Sequence, residues 1–174
     1  RLYNMANTHA VVNLTHAACW DVDSLNLGGI CAGADIDNGN FVTLGDITRE
    51  TSSQVIGGYE FAVTSATTTS ADYIVATPVV GTDIDMQIYN DPRYFYNKKG
   101  QPMSVKRLLA GDCIEVTGAA FSTAPTVGTS THAKVTAGKL VAQANDTGAQ
   151  FKILGVVKVD VGQEQVDAFV LMKL

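Results

Sequence analysis

Lys139-Leu140-Val141-Ala142, then Phe151-Lys152-Ile153-Leu154-Gly155-Val156-Val157-Lys158-Val159-Asp160, then Gln165 through Leu174: these runs decide the fold class. Each is a short apolar stretch rich in Val, Ile and Leu, and turn residues separate them. Ala137-Gly138 stands before the first run and Asn145-Asp146-Thr147-Gly148 before the second. β-branched residues suit a pleated strand, and Gly, Asn and Asp suit the turn between two strands. Ala133 to Thr136 adds a further strand upstream. The closing run is apolar on both faces from Ala168 to Met172, so both of its faces need cover. A neighbouring subunit is one candidate for the second cover.

Working back along the chain, the same chemistry recurs. Cys113 to Thr117 alternates, as does Asp83 to Tyr89, with Ile84, Met86 and Ile88 pointing inward. Tyr59, Phe61 and Val63 share one face of another strand, and Tyr73 to Thr77 forms one that Pro78 ends. Asn38-Gly39 lies between Ile30-Cys31-Ala32 and Phe41 to Gly45, a strong turn signal. Met103 to Ala110 is the one stretch that reads as a short helix, or equally as an extended connection, and residues 118–131 read as a long surface loop. Residues 1–28 have neither a strand nor a helix period and read as an extended arm, leaving residues 29–174 as one β-rich domain. Met5-Ala6-Asn7-Thr8 has the look of a translation start, which would make Arg1 to Asn4 an appended remnant or the tail of a longer product.

Composition agrees. The 174 residues hold 20 Val, 18 Thr and 16 Gly but only four Glu and eight Lys, so strand and turn formers outnumber good helix formers. The expected fold is therefore mainly β: an antiparallel sandwich or barrel-like domain with an N-terminal arm and at most one short helix. With 46% hydrophobic and 17% charged residues the chain can build a core, and wholesale disorder is excluded. No apolar run reaches the roughly 18 residues of a membrane span. Net charge is −5, and the 12 Lys and Arg are scattered rather than striped, which argues against nucleic acid as a partner.

Cys19, Cys31 and Cys113 are odd in number and lack a C-x-x-C pair, so they read as small hydrophobes of a reducing cytoplasm. His9, His16 and His132 have no nucleophile elbow beside them, and Cys19 following His16 by three residues is no catalytic pair by itself. The pairs Asp35/Asp37 and Asp83/Asp85 could hold a cation, but turn capping and a solvated strand face explain them as well. Phosphate-binding glycine loops are absent, as is the motif set of the trimeric β nucleotide hydrolases. The expectation is a non-enzyme with no metal and no cofactor. A weak echo links Gly33 to Ile36, Gly111 to Ile114 and Gly138 to Leu140, as repeated hairpin chemistry would.

Two phrases carry a resemblance. Ala32-Gly33-Ala34-Asp35-Ile36-Asp37-Asn38-Gly39 followed by Phe41-Val42-Thr43-Leu44-Gly45 is the first. Asn97-Lys98-Lys99-Gly100, through Arg107-Leu108-Leu109-Ala110-Gly111-Asp112 to Ile114-Glu115-Val116-Thr117, is the second. Together with Leu140 to Ala142 and Phe151 to Val157, they resemble the head decoration (cement) and accessory proteins of tailed-bacteriophage capsids. The resemblance covers about two-thirds of the chain and transfers no catalytic residue. It implies a structural protein on the exterior of a virion, made in the host cytoplasm. It further implies binding to the major capsid protein as a homo-oligomer, a trimer being favoured. The residues expected at the capsid or subunit interface are Leu2, Tyr3, Val11, Val12, Leu14, Trp20, Phe169 and Leu171. The rival expectation is a carbohydrate- or receptor-binding module using Tyr89, Tyr94, Phe95 and Tyr96.

Overall fold

The computed structural model describes residues 9–48, 60–66, 70–79, 92–161 and 164–174. The chain is mainly β, as its composition requires, and its strands form two packed sheets. In chain order the strands are β1 (Val12–His16), β2 (Asn26–Ile30), β3 (Val42–Ile47), β4 (Glu60–Ser65), β5 (Tyr73–Val75) and β6 (Pro102–Arg107). They continue as β7 (Cys113–Thr117), β8 (Phe121–Thr123), β9 (His132–Thr136), β10 (Lys139–Gln143), β11 (Phe151–Val161) and β12 (Glu164–Lys173). The only helical pieces among the described residues are single 3₁₀ turns. The strand expected at Asp83 to Tyr89 lies outside the described residues.

The smaller sheet runs β3-β4-β2-β6-β5 and curls on itself. An antiparallel bridge between Phe41 and Ile74 ties the residue before β3 to β5. Val42, Val63, Val75, Met103 and Val105 fill its interior together with Cys31 and Ile36. The centre of β2 must pass this interior as glycine: a Cβ on Gly29 would lie 2.4 Å from Val63 Cγ2 and 3.0 Å from Val105 Cγ2. The larger sheet runs β1-β7-β12-β11-β9-β10-β8. Its inner face contributes Leu14, Ile114, Val116, Val135, Leu140, Phe151 and Leu171 to a second core, where Phe41 and Ile74 meet them from the smaller sheet. Phe41 packs on Phe151 with ring centroids 5.4 Å apart. The Phe41 N–H also donates to the carbonyl of Gly138, in the β9–β10 turn, at 2.7 Å.

Several expectations change. The stretch Met103 to Ala110 is not a helix but mostly strand β6, because Met103 and Val105 alternate into the smaller sheet's interior. Residues 118–131 are not one loop, since a 3₁₀ turn and β8 occupy Gly118–Thr123. The sheets are mixed rather than antiparallel: β2 runs parallel to β4, and β8 to β10. The described part of the expected arm, residues 9–28, is built into the body. β1 pairs with β7 at the edge of the larger sheet, and β2 lies central in the smaller one. A register shift between Asn13 and His16 and two 3₁₀ turns at Ala18–Trp20 and Asp23–Leu25 erase any regular period there.

Candidate docking surface

The most exposed aromatic side chain among the described residues belongs to Trp20, at 64%. It is no core plug. The 3₁₀ turn that carries it hangs between β1 and β2 and is held from below by Asp112, which is itself buried. One carboxylate oxygen of Asp112 accepts from the Ala18 N–H at 2.9 Å, and the other accepts from the Leu109 N–H at 2.8 Å. This clamp ties the turn to the β6–β7 connection and buries Cys19 while its neighbour Trp20 stands out. Desolvation, and next the Asp112 carboxylate, push the Cys19 thiol above its ordinary pKa. A thiol so placed is a poor nucleophile.

Trp20 borders a groove of about 490 Å³ along β1, walled by Val11, Val12, Leu14, Pro78 and Lys106. Val22 is a second exposed apolar side chain close to Trp20 in sequence, at 43%. A buried polar network stiffens the other wall. Asn38 Nδ2 donates to the Thr77 carbonyl at 2.9 Å, and Asn38 Oδ1 accepts from the Thr77 N–H at 3.0 Å. Asn97 Nδ2 donates to both Asn38 Oδ1 and the Ile36 carbonyl. The Thr77 hydroxyl donates to Asn97 Oδ1 and accepts from the Ser104 N–H. Gly39 completes the turn at φ +82°, where a Cβ would also press on Val12 at 3.0 Å.

The expected interface residues separate into three groups. Trp20, Val11 and Val12 border the groove, and Leu14 lies buried at its base. Phe169 and Leu171 point into the protein's own core, so their side chains are not offered to a partner, a correction to the sequence expectation. Phe169 packs edge-on against Phe121 at 5.4 Å. On the opposite face of β12, Ala168 is buried while Val170 and Met172 are half-buried. Leu2 and Tyr3 lie outside the described residues, as does Tyr89. Tyr94, Phe95 and Tyr96 are each half-buried, with Tyr96 against the His9 ring at 5.1 Å, so these three present no open aromatic platform.

Several of the remaining candidates for chemistry have local partners, while Asp83 and Asp85 lie outside the described residues. His9 Nδ1 lies 2.8 Å from Asp37 Oδ1, and Asp35 accepts from the Lys99 N–H at 2.8 Å. His132 Nδ1 meets the Thr131 hydroxyl at 2.9 Å. No group of three or more His, Cys, Asp or Glu among the described residues could hold a metal ion. No helix among them is long and apolar enough to cross a membrane. Sequence reading missed the Asp112 clamp and the exposed stretch of β11 around Leu154, Val156 and Val157. The second had a signal, because Ile153 to Val159 is too apolar for a solvated strand. Comparison of the chain with protein-family models, curated proteins and solved structures gives no match.

Proposed function

We propose that this protein is a non-catalytic capsid decoration protein, binding the outer surface of a tailed-phage head as a homo-oligomer and bridging major capsid protein subunits. Trp20 is the observation that carries the docking half of this reading. The Asp112 clamp holds the backbone of the turn that carries this tryptophan, which is 64% exposed, so binding has the side chain to order but not the turn. The groove beside it supplies an apolar bed for a partner's side chains. The phage assignment rests on the resemblance of residues 32–45 and 97–117 described above. A decoration protein acts by mass action: binding only the assembled shell stabilises it, and repetition of the site adds avidity.

The test is co-sedimentation with mature heads and empty expanded shells from a panel of tailed phages. Saturable, stoichiometric pelleting that Trp20→Ala abolishes, with the variant's melting temperature unchanged, is the expected result. Absence of pelleting with every shell, or pelleting indifferent to Trp20, overturns the reading.

A further inference from the structure

β11 is paired along its full length with β12, but with β9 only at Phe151 and Lys152. One further bond, from the Ile153 N–H to the Thr131 carbonyl, ends that contact. From Leu154 to Val161 the outer edge of β11 has no strand beside it among the described residues. This edge is long and apolar: Leu154 is 50% exposed, Val156 36% and Val157 37%. A groove of about 330 Å³ flanks its beginning, between β11 and the loop bearing Val127, which is 75% exposed. An edge with these features invites another strand.

Its backbone and charges say which strand. Only two residues separate β11 from β12, so Val161 and Glu164 close the hairpin as a hydrogen-bonded pair. The alternation of an antiparallel ladder then aims the N–H and C=O of Val159 and Val157 at β12, and those of Val156, Lys158 and Asp160 outward. We infer that the free edge of β11 pairs antiparallel with the same edge of a second copy, about a twofold axis through Val159. In this register each Lys158 stands opposite the other copy's Asp160, Val157 stands opposite Val161, and Val159 meets itself. The other centres fail on this strand's own residues. Centring on Lys158 or on Asp160 sets like charges opposite, which is unfavourable. Centring on Val157 leaves Asp160 facing Leu154, and centring on Val156 needs the edge of Lys152 that β9 occupies. Lys158, already 2.6 Å from Asp167 of its own chain, gains a second carboxylate. Gln165 Nε2 donates to Asp160 Oδ1 at 2.9 Å, and a carboxylate has accepting capacity beyond one such bond. A twofold dimer would replace the trimer expected from the sequence, and it does not depend on what the Trp20 surface binds.

The experiment measures native mass by analytical ultracentrifugation over a concentration series. The full chain should be dimeric. Lys158→Glu and Asp160→Lys should each weaken dimerisation by on the order of tenfold or more, and the double exchange should restore it. Asp160→Pro costs the hairpin no ladder bond, because that N–H faces outward, and should give a folded monomer by circular dichroism. The register has its own readout. In a Cys113→Ser background, Val159→Cys should form a disulfide-linked dimer on oxidation, since a non-hydrogen-bonded pair brings Cα atoms to about 4.5 Å. Val157→Cys should not. A monomer up to the solubility limit, an odd-numbered assembly, a dimer indifferent to Asp160→Pro, or cross-linking at Val157 instead of Val159 overturns the inference.

Discussion

Replacing Gly29 by alanine adds one methyl group to the tightest point of the smaller sheet. The new Cβ would sit 2.4 Å from Val63 Cγ2 and 3.0 Å from Val105 Cγ2, against about 3.5–4.0 Å for a relaxed carbon contact. Neither neighbour yields easily. Val63 and Val105 are 2% and 0% exposed, and a β-branched side chain on a strand has few χ1 options. β2 is also held on both sides, by β4 and β6, so it cannot drift outward alone. Overpacking of this kind costs about 1–3 kcal/mol. In a domain of this size each kcal/mol moves the melting temperature by about 2–4 °C. The assay is a double-mutant cycle by urea unfolding of Gly29→Ala, Val63→Ala and the pair. Val63→Ala alone leaves a cavity and loses roughly 2 kcal/mol. In the pair the alanine methyl at position 29 occupies space that the valine vacates, so the two losses should fall short of additivity by at least about 1 kcal/mol. A neutral Gly29→Ala, or strict additivity, would refute the reasoning, because no clash would then exist to relieve.

Other expectations follow from single contacts. Asp112→Ala strips the acceptor from the Ala18 and Leu109 N–H groups and should cost about 2–4 kcal/mol in denaturant titration, with Asp112→Asn losing less. Ala137 sits at φ 50° beside Gly138 at φ 77°, so Ala137→Gly or Ala137→Asn should raise stability by about 0.5–1 kcal/mol in thermal melts. The Cys19 thiol is raised by burial, and its stabilising contribution is complete below the ordinary thiol pKa and is lost as pH climbs through the raised value. Stability should therefore decline on the alkaline side by more in the native chain than in Cys19→Ala, and iodoacetamide mapped by mass spectrometry should label Cys113 well before Cys19.

The strand chemistry of the sequence was legible wherever a strand has one clean core face. Ile114 and Val116 of β7, and Ala133 and Val135 of β9, alternate as buried residues must. β6 stayed open between helix and extended chain because Met103 to Ala110 contains good helix formers, while its placement depends on the curl of a sheet whose strands come from elsewhere in the chain. β8 and the parallel pairings escaped for a similar reason: partner choice is a tertiary property that periodicity does not encode. At the candidate site, Trp20 was visible as a single tryptophan, but its exposure depends on Asp112, some ninety residues away. Phe169 and Leu171 looked available only because β12 is apolar on both faces, and nothing local says which face meets the core.

The place of β1 also bears on how the chain is made. Val12 pairs with Val116, and β7 separates β1 from the rest of its sheet. During synthesis Leu14 therefore waits, uncovered by its final neighbours, until β7 leaves the ribosome about 100 residues later. At about 5–20 residues per second that delay is roughly 5–20 s. Contacts so distant in sequence also slow the closing step of folding itself. The earliest of the larger sheet's described strands to be synthesised thus lies at its edge, with β7 as its partner. Pulse-labelling of nascent chains should therefore find β1 unprotected long after β2 has emerged.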